Sequence, residues 1–168
     1  MTTIEKLEER KEELKSIMND DSIEMANDYS IDNDNYFDDI VSEYADNNTS
    51  IYYNEQRQFY NDNVEFCEDA FKEFGYDIKE MFEDGMTLDD LVCKCGQIGE
   101  YKRIQDNLYE DIENIKLMML LNYCIDNNIT NITIEGLENI AERYVNDHTS
   151  DLLDELNELI EIIEDDEE

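Results

Sequence analysis

The chain reads as all-α: a compact bundle of about five to seven helices with a strongly acidic surface. Three observations predict this. Proline is absent and glycine is limited to five in 168 residues, so little punctuates the backbone. Apolar residues recur at helical spacing through most segments instead of alternating as strands require. The 47 acidic residues stand against 12 basic ones, a formal net charge of −35 that only a solvated surface can hold.

Core material is present. Ile, Leu, Val and Phe supply 42 of the 168 residues, above the roughly 20% level below which high charge predicts disorder. A single helical domain over residues 1–168 is expected, with an acidic C-terminal tail at 164–168. A domain of this size buries about 70% of the surface of its unfolded chain.

The first helix is expected from about Thr3 to Met18, with Ile4, Leu7, Leu14 and Ile17 on one side and Glu/Lys pairs on the other. A looser acidic stretch follows, in which Phe37, Ile40, Val41 and Tyr44 form one short amphipathic face. The clearest helix begins near Thr49 or Ser50 and ends at Gly75, a residue suited to the left-handed position after a helix. Tyr53, Tyr60, Val64, Cys67, Phe71 and Phe74 make its apolar stripe. Glu55, Asp62, Glu65, Asp69 and Glu73 make a second, acidic row.

Thr87 with Asp90 forms a start signal for a helix through Leu88, Leu91 and Val92, which Gly96 and Gly99 either interrupt or pack tightly. A long helix from about Ile98 to Asp126 carries Tyr101, Ile104, Leu108, Ile112 and Ile115. It then enters the nearly all-apolar run LMMLLNYCI, expected at the centre of the core because a helix apolar all round must be covered all round. Thr133 caps a helix through Leu137, Ile140, Ala141 and Tyr144. Thr149 or Ser150 starts the last helix, whose narrow Leu152, Leu156, Leu159 and Ile163 seam suits either closure onto the first helix or pairing of two chains as a homodimer.

The charge is unevenly placed. Residues 1–16 carry five Glu and four basic residues, whereas Ser16 to Gln56 holds eleven acids and no Lys or Arg, as does Tyr144 to Glu168. A solubilising surface normally intersperses both signs. Two long segments without positive charge fit a directed negative field better.

Chemistry-bearing motifs are scarce. Asp32, Asp34 and Glu43 occupy positions 1, 3 and 12 of a calcium loop, but Phe37 stands where the turn needs Gly, so solvated acidic surface is the better reading and a calcium-binding protein the less favoured one. Cys93-Lys94-Cys95 has the wrong spacing for a zinc knuckle, and Cys67 and Cys124 lie on apolar stripes, so four free thiols are expected rather than disulfides or a metal site. His148, the lone histidine, reads as an ordinary residue before a helix start rather than a general base. There is no Gly-rich phosphate loop, no G-x-S-x-G, no H-E-x-x-H and no E-x-x-H pair. No enzyme and no cofactor is expected from that absence of parts. The start MTTIEKLEERKEELK lacks an apolar signal core, and no apolar run approaches the ~20 residues that span a bilayer. A cytoplasmic location without membrane contact is the expectation.

The acidic field itself remains. It repels nucleic acid and attracts strongly basic surfaces. Duplex DNA carries one charge per about 1.7 Å of axis, so the net charge matches a stretch of about 60 Å, over which a few helices could imitate a phosphate rail. The residues expected to meet such a partner are Asp32, Asp34, Asp38, Asp39, Glu43 and Asp46 in the segment without basic residues, and Asp62, Glu65, Asp69 and Glu73 on the long helix. Asp151, Asp154, Glu155 and Glu158 on the last helix follow. The 11 Tyr and six Phe, several beside acids, supply aromatic anchors of the kind protein interfaces favour.

A small, proline-free helical protein ending LLDELNELIEIIEDDEE resembles the acidic DNA mimics of bacteriophages and mobile elements, in style most of all the phage overcome-classical-restriction proteins. The stretches EFCEDAFKEFGYD and GQIGEYKRIQDNLYEDI look like small acidic proteins carried by phages of low-GC Gram-positive bacteria. The resemblance is one of style over most of the chain and of wording over about a third. It implies an anti-defence role: a non-enzymatic inhibitor occupying the basic nucleic-acid channel of a CRISPR–Cas effector or restriction enzyme in a bacterial host. The compositional rival is halophilic adaptation, against which the plentiful Ile, Asn and Tyr speak. The functional rival is an acidic helical interaction module or adaptor that holds its partner through the helical seam or aromatic patches.

Like charges at this density destabilise the compact state and are screened over about 8–10 Å at physiological ionic strength. The melting temperature is therefore expected to rise with added NaCl; a flat or falling dependence in thermal unfolding would contradict dominant self-repulsion.

Overall fold

Ten α-helices organise residues 2–143 and 148–167, which the computed structural model describes. They are α1 (Thr3–Ile17), α2 (Asp20–Asp28), α3 (Phe37–Asn48), α4 (Tyr53–Asp62), α5 (Val64–Glu73), α6 (Ile78–Glu83), α7 (Leu88–Glu110), α8 (Ile112–Asp126), α9 (Ile134–Arg143) and α10 (Thr149–Glu167). The described residues contain no strand, only an isolated antiparallel bridge between Tyr36 and His148. The all-α expectation holds; the expected five to seven helices become ten. The chain divides into two compact units, Met1–Ser42 with Asn107–Glu168, and Glu43–Asp106, and the division falls within α3 and α7.

The extra helices have local causes. The stretch after α1 contains α2, started by Asn19, whose side chain accepts from the Ser22 amide at 3.1 Å. Asp20 and Asp21 lie in its first turn, where a carboxylate meets the positive end of the helix. The segment expected as one helix from 49 to 75 is two, because Asn63 leaves the helical backbone and turns its side-chain amide onto the Phe59 carbonyl at 3.1 Å. Short polar side chains compete with the helix for its own backbone groups in this way. The helix expected from 98 to 126 starts ten residues earlier, at the Thr87 signal, where Thr87 accepts from the Asp90 amide at 3.2 Å. It then breaks at Asp111. That carboxylate accepts from the Asn19 backbone and side-chain amides at 3.0 and 2.7 Å, which ties the break to the start of α2.

In the first unit α8 is the centre. Leu117, Met118, Met119, Leu120, Leu121 and Cys124 are all buried, under α1, α2, α9 and α10. Leu7 and Leu14 of α1, Met25 of α2, Leu137 and Ile140 of α9, and Leu152 and Leu156 of α10 complete this core. The α10 seam thus closes inside the chain onto α9 and α8. Its far half is less covered: Leu159 and Ile163 are only partly buried and Ile162 is exposed. Thr133 starts α9 as expected, accepting from the Gly136 amide at 3.1 Å, whereas Tyr144 lies outside the described residues. Residues 164–167 continue α10. Among the described residues no helix is long and apolar enough to cross a membrane.

The second unit has a smaller core of Cys67, Phe71, Leu91 and Cys95, with Phe59, Tyr60, Tyr76, Ile78, Met81 and Ile98 packed against it. The end of α5 falls where expected. Gly75 has φ +85°, and its amide reaches Lys72 O at 2.9 Å while the Tyr76 amide reaches Phe71 O at 3.1 Å. This paired arrangement satisfies two orphan carbonyls, and the Phe71 and Tyr76 rings stack at 4.7 Å across it. Gly96 and Gly99 do not interrupt α7; they let it approach its neighbours. A Cβ on Gly96 would lie 1.9 Å from Gln56 O, and one on Gly99 2.4 Å from Cys67 Sγ.

Gly96→Ala must therefore push backbone against backbone. It should destabilise the protein by about 1–3 kcal/mol, the usual cost of overpacking, despite the higher helix propensity of Ala. Gly99→Ala should cost less, because a thiol side chain can yield more easily than a carbonyl. Urea unfolding of both variants measures this, and an unchanged or raised midpoint for Gly96→Ala would contradict the close approach.

Candidate partner-binding surface

The acidic residues that the sequence marks lie on exposed ground. Asp32, Asp34, Asp38, Asp39, Glu43, Asp46, Asp62, Glu65, Asp69, Glu73, Asp154, Glu155 and Glu158 are all exposed, and Asp151 is partly so. In the first unit, Asp32 and Asp34 sit in the loop before α3, Asp38 and Asp39 in its first turn, and Asp151, Asp154, Glu155 and Glu158 along α10. In the second, Glu43 and Asp46 lie on α3, Asp62 ends α4, and Glu65, Asp69 and Glu73 belong to α5.

Several of these carboxylates are engaged. The Ser150 hydroxyl donates to Asp34 at 2.8 Å and the Tyr109 hydroxyl to Asp38 at 2.6 Å. Gln58 donates to Asp62 at 2.9 Å, and Lys102 pairs with Glu73 at 3.1 Å. The expected single row from Glu55 to Glu73 is divided by the break at Asn63. That break has a second effect, since Asp62, Glu65 and Asp69 line an open groove together with Val64 and Phe66.

The aromatic expectation divides as well. Ile51 and Tyr52 are 82% and 67% exposed, with Tyr53 and Phe82 also open to solvent. Phe37, Tyr44 and Phe71 are buried instead. Of the stripe expected on the helix from 49 to 75, only Cys67 and Phe71 are fully buried, while Tyr53, Val64 and Phe74 face outward.

Asp, His and Ser side chains also meet, though not in the order of a histidine-activated nucleophile. Asp34, His148 and Ser150 meet in the first unit, where His148 Nδ1 contacts the Asp34 carboxylate and lies 3.2 Å from Ser150 Oγ. Both partners thus use the same ring nitrogen. A nucleophile activated by histidine needs the acid on one nitrogen and the hydroxyl on the other. The Tyr36 ring packs edge-on against the imidazole at 4.1 Å, and Thr149 fixes the junction: its amide donates to Asn35 O at 2.9 Å and its hydroxyl to the Asn33 backbone carbonyl. The cluster pins the start of α10 to the loop before α3.

The four cysteines are free and buried. Burial pushes the Cys67 and Cys124 thiols up to about 12 and Cys95 to about 11, and raises Cys93 as well. Thiols held this high are poor nucleophiles and poor metal ligands. Among the described residues no group of three or more His, Cys, Asp or Glu side chains could hold a metal ion.

One acid behaves unlike the rest and was not marked by the sequence. Glu100 on α7 is only 8% exposed. Its Oε2 accepts from the Ser50 amide at 3.0 Å, while Oε1 is buried without a partner. Burial raises its carboxyl above the ordinary range, against the lowering effects of the Ser50 amide and Arg103. Comparison of the chain with protein-family models, with curated sequences and with solved structures gave no match.

The raised Glu100 carboxyl has a defined consequence for stability. The folded protein holds this proton more tightly than the unfolded chain does, so the contribution is fully present below the ordinary carboxylate range and is lost as pH rises through the raised value. Glu100→Gln keeps an acceptor for Ser50 and removes the charge. Its melting temperature relative to the parent should increase from acid to neutral pH; a constant difference across that interval would show that the buried charge is not the cause.

Proposed function

We propose that the protein is a non-enzymatic inhibitor that binds the basic nucleic-acid channel of a CRISPR–Cas effector or a restriction enzyme, its carboxylates taking the place of phosphates. The observation that carries this reading is the combination of a net charge of −35 with the exposure of thirteen of the fourteen acids singled out by their position in the sequence. Acids buried in the core or paired with cations could not be offered to a partner as contacts. Here most of the carboxylates are turned to solvent and cation partners are few. Channels that hold DNA or RNA are built from Lys and Arg, and complementary fields of this kind speed encounter and impose a strong salt dependence. The mechanism is competition: the protein and nucleic acid cannot occupy one channel together. A bacteriophage or mobile-element origin and a cytoplasmic site of action accompany this reading.

A second reading, an interaction module or adaptor, is favoured by the exposed Ile51-Tyr52-Tyr53 segment. Exposed aromatic and aliphatic side chains in sequence are typical anchors of protein interfaces. The α10 seam does not serve that reading in the same way: Leu156 is fully buried, so its substitution would disturb the fold of the first unit rather than a docking face.

The two readings separate in one experiment. The tagged protein is immobilised, challenged with lysate from bacteria expressing a restriction system and a Cas nuclease, and eluted in rising salt, with each fraction identified by mass spectrometry. The inhibitor reading expects a nucleic-acid enzyme released at intermediate salt and displaced by duplex DNA or guide RNA. Replacing Glu43, Asp46, Asp154 and Glu158 by Lys, four exposed positions, should weaken capture of that enzyme by more than about 100-fold. Capture that resists salt and nucleic acid but is lost in Tyr52→Ala would overturn the inhibitor reading in favour of the adaptor.

A further inference from the structure

The groove at the α4–α5 break places exposed apolar side chains among acids. Val64 and Phe66 are 42% and 38% exposed, and Asp62, Asn63, Glu65 and Asp69 complete the lining of a shallow, open space of roughly 440 Å³. Its geometry follows from the sequence. Cys67, Ala70 and Phe71 turn one side of α5 into the core of the second unit, which leaves Phe66 and Asp69, three residues apart, on the opposite side. The kink at Asn63 then brings Asp62, the last residue of α4, alongside them. No basic residue lines the space.

These features together select an occupant. An apolar ligand would have to desolvate three carboxylates without compensating them. An anion is repelled. A metal ion is not met by converging ligands among the described residues. A basic side chain fits both parts, with its stem and flat face on the Phe66 ring and its charge among the acids. Arg meets these conditions better than Lys, because a planar, weakly hydrated guanidinium stacks on a ring and still presents paired N–H groups to a carboxylate.

We propose that this groove is the seat of an arginine side chain from a basic segment of the protein partner, with Phe66 stacking beneath the guanidinium and Asp62, Glu65 and Asp69 receiving its N–H groups. The proposal rests on the reading of the protein as a ligand for basic channels and deepens it. Recognition then has one directional component, the Phe66 stacking, inside a field that is otherwise unspecific. Nucleic-acid channels are rich in arginine, so such a seat selects the same residues that grip phosphates.

The test uses the full chain and two fluorescein-labelled peptides of equal charge and length, one alternating Arg with Gly and the other Lys with Gly. Affinity is read by anisotropy at several salt concentrations, and the contact surface by backbone amide shifts. The Arg peptide should bind several-fold more tightly, with the largest shifts at residues 62–69. Phe66→Ala, which changes no charge, should lower the Arg affinity about tenfold, abolish the preference over Lys and leave the salt slope unchanged; Phe66→Tyr should retain it. Because Phe66 is exposed, circular dichroism is expected to show all variants folded alike. Equal affinity for both peptides, indifference to Phe66→Ala, or shifts spread over other acidic segments overturns the seat while salt-dependent binding keeps the electrostatic reading. Binding of neither peptide, or binding that salt does not weaken, overturns both.

Discussion

With 47 acids and 12 bases, this chain cannot neutralise itself, and that constraint decides how it is held together. With 12 bases most acids go without a cation, and ion pairs such as Arg10 with Glu138 and Arg57 with Asp89 lie at least partly in solvent, where a pair contributes little. Cohesion has to come from apolar burial. In the first unit this means wrapping α8, whose run from Leu117 to Leu121 is buried without interruption. An apolar run of this length has to be covered on most sides, and α1, α2, α9 and α10 all pack on α8.

The links between segments follow the same rule. Beside its ion pairs the first unit uses amides and hydroxyls: Asn19 on Asn107 and Asp111, Asn122 on Ala26 and Asn27, Thr149 on Asn33 and Asn35. Such bonds keep their geometry in a strong negative field because neither partner need be a cation. The second unit relies on close approach instead. Glycines in α7 admit the Gln56 backbone and Cys67, and the Cys67 and Cys95 thiols are part of the core. Glu100 is the exception, a carboxylate held inside by one amide. The few basic residues are also used sparingly, Lys116 lying over the Phe37 ring and Arg103 over Phe59.

Legibility in the sequence tracks the range of the cause. The start of α7 at Thr87, the start of α9 at Thr133, the end of α5 before Gly75 and the central place of α8 all depend on neighbouring residues, and each could be read directly. The break at Asp111 could not, because Asn19, 92 positions away, draws that side chain out. Nor could α2, which buries only Ser22, Met25 and Ala26 and so leaves a faint stripe. The exposed acids were legible from composition alone, since a core has no room for them. The groove beside Phe66 was not, because it exists only where a helix expected to be continuous bends at Asn63. Glu100 looks in the sequence like any other acid; the adjoining Gly99, which marks a crowded face of α7, was the one signal pointing inward.

The exposed carboxylates have a bearing on descent. Thirteen of the marked acids stand in solvent, outside the buried cores, so those among them without a structural partner, unlike Asp34, Asp38 and Glu73, can exchange Asp for Glu or shift by a turn along a helix at little cost. If the protein acts through its charge, as proposed, most of this surface has to keep a potential and only the acids beside Phe66 have to keep their positions. Selection on a field of this kind lets aligned residues drift apart while charge and helix pattern persist. Kinship among such proteins is then better sought in the spacing of buried Leu, Met and Phe and in the balance of charge than in identity along the chain.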